Sequence, residues 1–300
     1  ILTKVGVYAV LRLWTLCFPS TAGDSALFGA DVLIWGGIVT LAFGTIGMMA
    51  SQQLARLAGY SIIASSGTLM AATGFDHPEL TAGALLYLAS ATLAAGAMFL
   101  LVELMDRART LEVDLPSAVE TDVRMPSFAE TETPPDANLD DQQVALIGRA
   151  IPAAVAFLGL AFLVATLVLA GLPPLSGFVA KVAMLHAVLQ MPEGAGPNGA
   201  GAALFTLQIV SGLCAAIALS RIGMRFFWSP ENRPAPRLRV AESLPVAVLL
   251  GLCLALVVAG EPALRYMRDT ADALHSPRQY ILTVLAARPA PSPSPKEANR

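Results

Sequence analysis

Two lysines stand inside apolar stretches of this sequence, where an ionisable side chain needs a chemical or a structural reason. Lys181 lies ten residues before Met191, the apparent end of its helix, which places it about 15 Å below that end. Lys4 lies fifteen residues before Pro19, about 20 Å deep by the same measure. A low-dielectric environment disfavours the charged amine, so a lysine at this depth can take up and release a proton. The alternative is that either lysine lies near a membrane surface because the helix ends are elsewhere.

A helix break lies directly before Lys181. The segment from Gly171 to Gly177 reads Gly-Leu-Pro-Pro-Leu-Ser-Gly. Pro173 and Pro174 remove two backbone donors and clash with the preceding turn, so the helix is predicted to break there. Helix ends and free carbonyls at the break would supply polar partners, an arrangement that recurs at the midplane sites of transporters.

Other polar residues near membrane depth are weaker candidates, and each has a structural alternative. Arg12 could extend its guanidinium to the membrane surface, and Glu103 could be a solvated helix end. His186 could release protons at the outer mouth or could be a hydrogen-bonded histidine without a role in transport. One helix is unusually polar, and its hydroxyls could line a hydrated path or bond to neighbouring helices: Ser61, Ser65, Ser66 and Thr68.

The composition predicts that helices crossing a lipid bilayer position these residues. Of 300 residues, 55% are hydrophobic and only 14% are charged, and the mean hydropathy is +0.64. Soluble domains carry about 25% charged residues. Runs of the length needed to cross a bilayer cover about 1–18, 31–50, 57–74, 80–103, 201–227 and 242–260, and 150–190 is longer than one straight span. The chain opens at Ile1 inside such a run, which we interpret as a segment cut within a helix.

The distribution of arginine favours one broken crossing over 150–190 rather than two. With one crossing, the loops that contain arginine (51–56, 104–149 and 221–241) all fall on the same side, and the positive-inside rule makes that side cytoplasmic. The fold class is therefore predicted as an all-α, polytopic membrane helix bundle of about seven transmembrane helices. The arginines after residue 264 lie on the wrong side and argue mildly against this topology.

The predicted organisation follows from these runs. Residues 1–19 end one helix, 31–103 hold three helices, 104–148 form an acidic cytoplasmic loop, 149–190 form the broken helix, 200–264 hold two more, and 265–300 are a flexible tail outside the cell. The three cysteines have no metal-site spacing, and we predict no cofactor, no metal and no nucleic-acid partner.

Several motifs resemble the D subunits of the multisubunit Mrp-type monovalent cation/proton antiporters. The first, Leu2 to Arg12 (Leu-Thr-Lys-Val-Gly-Val-Tyr-Ala-Val-Leu-Arg), is similar to that family's eighth helix, and Arg56 to Leu69 is similar to its tenth. The segment from Leu169 to Phe178, together with Lys181, resembles its broken twelfth helix. The segment Ser276 to Ile281 also fits the family. The likeness covers most of the chain except the acidic loop.

The resemblance implies helices eight to fourteen of a fourteen-helix subunit, related to the proton-pumping subunits of respiratory complex I. It implies that Lys4 links two half-channels and that Lys181 serves the second, with the family's fifth- and seventh-helix charges lying before Ile1. Relatives commonly carry a histidine in the eleventh helix where this chain has Ser90. A serine can hold a water but cannot store a proton near pH 7, so the relay would depend on water or on another residue.

The function expected from the resemblance is proton movement coupled to sodium or another monovalent cation, within a complex of several antiporter subunits in a bacterial inner membrane. The first alternative is a proton-pumping subunit of a complex I or membrane hydrogenase. The second is a membrane scaffold or an intramembrane enzyme, although no Ser/His pair, HExxH motif or pair of aspartates at membrane depth supports an enzyme.

Overall fold

The computed structural model describes residues 2–113, 153–191, 199–227 and 240–286. All regular structure in these ranges is helical. The elements are α1 (Leu2–Cys17), a short 3₁₀ turn (Gly23–Ser25), α2 (Ala30–Ala50), α3 (Leu54–Gly74), α4 (Pro78–Val113), α5 (Ala153–Ala170), α6 (Ser176–Gln190), α7 (Ala200–Phe227), α8 (Val240–Val258), α9 (Gly260–His275) and α10 (Pro277–Ala286). The chain is thus an all-α, multi-pass membrane protein, as its composition predicts.

Five segments in the described ranges are long and apolar enough to cross a membrane. They are Gly23–Ala50, Pro78–Arg107, Ala153–Ala170, Ala200–Phe227 and Val240–Val258. Helices α1, α3 and α6 are not among these five segments. Helices α1 and α6 are short, with 16 and 15 residues, and α3 is less apolar because it carries several hydroxyl side chains. The total of seven crossings therefore stays a prediction.

Helices α2 and α3 form a close antiparallel pair because glycines remove side chains where the two backbones meet. A Cβ atom at Gly44 would lie 2.5 Å from the amide nitrogen of Ala64, and one at Gly67 would lie 2.6 Å from the carbonyl oxygen of Gly37. Small residues of this kind allow helices in membranes to gain contact area without a hydrophobic driving force.

Helices α5 and α6 follow one another in the same direction along α7. Phe162 in the middle of α5 packs against Phe227 at the end of α7, with ring centroids 5.9 Å apart, and a Cβ at Gly159 in the first half of α5 would lie 3.7 Å from the Phe227 ring. At the other end of α7, a Cβ at Gly201 would lie 3.6 Å from Val188 of α6. Two helices that together run antiparallel to one 28-residue helix have the geometry of a single interrupted crossing.

The ends of the three arginine-bearing loops lie together at one end of the bundle. Arg221 on α7 donates hydrogen bonds of 2.9 and 2.7 Å to the carbonyl oxygens of Met49 and Ser51, where α2 ends. Arg107 on α4 pairs with Glu242 at the start of α8 at 2.7 Å. This arrangement agrees with the one-crossing interpretation of 150–190, and its assignment to the cytoplasm stays a prediction.

Two boundaries differ from those expected. Helix α4 continues to Val113, inside the segment predicted as an acidic loop, and the rest of that loop lies outside the described residues. The segment predicted as a flexible tail from residue 265 is helical to Ala286, in α9 and α10. Helix α9 has one apolar face that contacts α4 and α1, with Ala271 and Leu274 buried. The outer face of α9 is charged, so the hydropathy averaged over the segment is low and does not indicate the apolar face.

Candidate functional site

The break between α5 and α6 leaves a backbone carbonyl free beside Lys181. Gly171 adopts φ +74°, and the amide of Leu172 bonds to the carbonyl of Leu167 at 2.9 Å, which closes α5 with a left-handed glycine cap. The carbonyl oxygen of Ala170 accepts a hydrogen bond of 2.9 Å from Lys181 Nζ. The amine therefore lies at the negative end of the α5 dipole, which favours a cation there.

Three glycines create the space that the Lys181 side chain occupies. A Cβ at Gly171 would lie 2.5 Å from Lys181 Cδ, and one at Gly212 of α7 would lie 2.7 Å from Ala170 O and 3.3 Å from Lys181 Nζ. A Cβ at Gly177 would collide with the carbonyl of Val168, so this glycine lets α6 start directly against the end of α5. The three glycines therefore bring α5, α6 and α7 close together around the lysine.

Lys4 is held by a side chain rather than by the backbone. Its Nζ donates a hydrogen bond of 2.5 Å to Ser65 Oγ, and that hydroxyl donates in turn to the carbonyl of Ile62 at 2.9 Å. This bond joins α1 to the polar helix α3. A serine hydroxyl can accept a hydrogen bond from a protonated amine and donate one to a neutral amine, so Ser65 can bond to Lys4 in both charge states.

Both lysines are buried, with 5% of Lys4 and 7% of Lys181 exposed. Within the ranges that the structure describes, no carboxylate forms an ion pair with either of them. Their partners are a neutral hydroxyl and a neutral carbonyl, neither of which would hold the proton as an adjacent carboxylate would.

A cavity joins the surroundings of the two lysines. The space that water molecules can occupy in it is about 20 Å³. Lys181 lines it from α6 and Ser65, the partner of Lys4, lines it from α3. The other polar side chains that line it are Ser61, Tyr87, Ser90 and Ser211. The free space is enough for about one or two waters, and these hydroxyls would be their partners.

Ser90 lies at this cavity and bonds across the bundle. It is fully buried, and its Oγ lies 2.8 Å from Ser176 Oγ in the first turn of α6. The position at which the resemblance predicts a histidine therefore holds a serine, whose partner Ser176 lies five residues before Lys181 on α6. Thr68 is buried on α3, where its hydroxyl donates to the carbonyl of Ala64 at 3.1 Å.

The structure does not bring the remaining candidates to this cavity. His186 is exposed on α6, and its ring contacts Gln190 at 3.2 Å, so it faces away from Lys181. Arg12 stacks on the ring of Tyr280 in α10, 4.7 Å from the ring centroid. Glu103 is an exposed partner of Arg107 at 3.3 Å. Pro173 and Pro174 lie in the break itself.

Four lining or supporting residues were missed by the sequence analysis: Ser176, Tyr87, Ser211 and Gly212. Ser176 lies inside the Pro-Pro motif and could have been noted as a hydroxyl at the start of a half-helix. Tyr87, Ser211 and Gly212 lie in apolar helices whose sequence has no signal of which face meets α3 or α6.

Comparison with known proteins gives a consistent result. A family profile described as "NADH:quinone oxidoreductase/Mrp antiporter, TM" matches residues 1–130. The chain is 45% identical over 290 residues to the D subunit of a probable K⁺/H⁺ antiporter of Rhizobium meliloti, covering 96% of this chain and 52% of the relative. It is 32% identical over 291 residues to the D subunit of the Na⁺/H⁺ antiporter of Bacillus subtilis, covering 95% and 50%. The chain thus spans about half the length of these relatives.

Two solved structures share the fold. A chain of the Mrp complex from Dietzia sp. matches with a TM-score of 0.65 and 18% identity over 94% of this chain and 53% of that one. A chain of respiratory complex I from Thermus thermophilus with bound NADH matches with a TM-score of 0.61 and 20% identity over 91% and 49%. Over nearly its whole length, the chain is therefore similar to about half of these antiporter D subunits, and it shares its fold with the two solved chains.

Proposed function

We propose that the chain is the proton-conducting part of a subunit of a multisubunit monovalent cation/proton antiporter. Protons would pass between Lys181 and Lys4 through the hydroxyls and waters of the cavity between them. The single observation that carries this proposal is the cavity, which is lined both by Lys181 from α6 and by Ser65, the hydroxyl partner of Lys4, from α3.

The neutral partners of the lysines support transfer rather than storage. A carbonyl and a hydroxyl can bind an ammonium and also tolerate the neutral amine, so protonation and deprotonation need no large rearrangement. A buried charge without an ionic partner costs several kcal/mol. That cost favours release of the proton from both lysines, and at Lys181 the α5 dipole opposes the release in part.

The proposal also covers the complex, the membrane and the topology in which the chain acts. The complete protein would assemble with other antiporter subunits in the bacterial cell membrane and exchange protons for Na⁺, K⁺ or another monovalent cation. Loop 104–148 would be cytoplasmic and the C-terminus outside. Relatives named as antiporter subunits support a transporter subunit rather than an enzyme.

The test replaces Lys181 by Ala in the full-length subunit and measures cation-dependent proton flux of the whole complex in inverted membrane vesicles. Lys181→Ala is expected to remove the flux while assembly is preserved. His186→Ala is the matched control, because it lies on the same helix but faces away from the cavity, and it is expected to keep wild-type flux. Wild-type flux in Lys181→Ala would reject the proposal.

A redox-linked proton pump is the second candidate, because the matching family profile and one similar fold include NADH:quinone oxidoreductase. In that case, vesicles should acidify on addition of NADH without an added cation. Flux that depends on Na⁺ or K⁺ and is indifferent to NADH would exclude this candidate.

A further inference from the structure

A second polar cluster lies at the end of the bundle where α3 ends and α4 begins. His275, the last residue of α9, has its Nδ1 atom 3.0 Å from Asp76 Oδ1 in the α3–α4 connection. Its Nε2 atom lies 3.0 Å from Thr81 Oγ1 in the first turn of α4. The imidazole is 12% exposed and the carboxylate 15%, and Thr81 is almost fully buried.

The geometry defines what a proton on this histidine would do. The carboxylate at Nδ1 requires a proton on that nitrogen, so Nε2 is the atom that changes state. When Nε2 is unprotonated it accepts a hydrogen bond from Thr81, and when it is protonated it donates to Thr81. In the second state the Thr81 hydroxyl proton is free to point elsewhere. The direction of the Thr81 hydroxyl therefore depends on the charge of His275, and groups on the side of Thr81 that faces away from His275 can respond to that charge.

A small cavity lies on that other side. It lies between α1, α3 and α4, and the space that water can occupy in it is about 10 Å³. Its lining residues include Thr81, Thr73, Val7, Leu11 and Leu69. Its free space is enough for about one water.

The cavity continues the seam that begins at the Lys4–Ser65 bond. Val7 and Leu11 follow Lys4 by three and seven residues on α1, and Leu69 and Thr73 follow Ser65 by four and eight residues on α3. These spacings keep all four residues on the helix faces that carry Lys4 and Ser65.

We propose that His275, together with Asp76 and Thr81, is a proton-exchange site at this end of the bundle that serves Lys4 through the cavity between α1, α3 and α4. The site rests on the proposed function, and it assigns an end point to the proton path on the Lys4 side. Protons pass between Lys4 and Nε2 by way of the Thr81 hydroxyl and water, and Asp76 orients the ring.

Other ionisable groups are present on the elements around this site. Glu79 on α4 pairs with Arg268 on α9 at 3.2 Å, and Nδ1 of His77 is buried without a hydrogen-bond partner among the described residues. Arg12 on α1 stacks on Tyr280, and Asp272 lies exposed on α9. The Arg268–Glu79 pair also fixes α9 to α4, so it allows a purely structural role of His275 to be tested separately.

The experiment measures antiport by the intact complex across a range of pH. His275→Gln keeps a hydrogen-bonding side chain but cannot carry the exchanged proton, so its flux is expected to fall several-fold and its pH profile to differ from that of the wild type. Thr81→Val is expected to slow flux several-fold, whereas Thr92→Val, on the same helix with its hydroxyl bonded only to the Leu88 carbonyl, is expected to match the wild type.

Two results would overturn the site. One is a His275→Gln variant with the wild-type pH profile. The other is an Arg268→Gln variant with the same altered profile, which would mean that loosening α9 is the cause. Lys181→Ala is measured in the same membranes: if it is inactive and the His275→Gln profile is unchanged, only the site is rejected, whereas flux in Lys181→Ala rejects the proposed function and the site with it.

Discussion

At the scale of single residues, the two buried lysines are held in different ways that have the same chemical effect. Lys181 bonds to a carbonyl at a helix end and Lys4 bonds to a hydroxyl. Both partners are neutral acceptors that leave the proton exchangeable. The neighbouring serines Ser65 and Ser66 on α3 differ more sharply in their contacts. Ser65 binds Lys4, whereas the buried hydroxyl of Ser66 has no hydrogen-bond partner among the described residues.

Ser65→Ala and Ser66→Ala form a matched pair. Ser65→Ala removes the acceptor of Lys4, so we expect cation-dependent proton flux to fall by about tenfold, which corresponds to about 1.4 kcal/mol in the barrier. Ser66→Ala removes only an unbonded hydroxyl and should leave flux near the wild-type value. Equal flux in the two variants would show that the Lys4–Ser65 bond has no part in transport.

Ser90 allows a second prediction at this scale. Ser90→Ala removes the hydroxyl pair with Ser176 and one polar group of the cavity wall. We expect flux to decrease several-fold in vesicle assays without loss of the assembled complex. Thr206→Ala is the control, because that hydroxyl is exposed and bonds only within α7. A larger loss for Thr206→Ala than for Ser90→Ala would contradict a role for the cavity.

At the scale of helices, glycine decides which faces meet. In the α2–α3 pair, glycines on α2 and α3 face the partner backbone directly. At the α5–α6 break, Gly171 and Gly177 leave room for Lys181 and for the close helix ends. Helix packing and the position of the lysine therefore depend on the same property, the absence of a Cβ atom.

Neighbouring glycines on α2 provide a sharp test of this packing. A Cβ at Gly37 would collide with the backbone of Ala71, whereas a Cβ at Gly36 meets nothing within 4 Å. Gly37→Ala should therefore push α2 away from α3 and lower the thermal stability of the detergent-solubilised complex by several degrees. Gly36→Ala should leave it unchanged, and a similar shift in both variants would count against the close contact.

At the scale of the whole molecule, the chain has two distinct ends. At one end, Arg221 and Arg107 join α2, α4, α7 and α8. At the other, α9 covers the start of α4 through His275 and Arg268. The interrupted α5–α6 crossing connects these ends, so its break lies between them.

Cysteine labelling tests this arrangement. In a background without Cys17, Cys214, Cys253 and any other native cysteines of the full-length subunit, Gln53→Cys is expected to react with an impermeant reagent from one side of the membrane only. Gln190→Cys, at the end of α6, should react only from the opposite side, because α5 and α6 make one crossing. Labelling of both positions from the same side would require two crossings.

The sequence by itself predicted a polytopic helical membrane protein and identified two lysines that lie deep within it. Apolar runs require a bilayer because no soluble core could cover them, and the Pro-Pro pair requires a break because two backbone donors are missing. The motif around Lys181 also resembles that of the antiporter D subunits, and the distribution of arginine favours the one-crossing interpretation with which the helix packing agrees. These conclusions depend on local composition and covalent structure.

The tertiary structure alone decided which polar residues share a cavity. Ser65, Ser90 and Ser211 lie on three helices, and no local pattern predicts their distances because contacts between helices are set by small residues and by rotation about each axis. The same holds for His275, which belongs to a segment that looked like a tail and meets Asp76 and Thr81 only because the apolar face of α9 packs on the bundle. The orientation of His186 is different, because a spacing of five residues rotates its side chain by about 140° from Lys181 and the sequence alone therefore predicts another helix face.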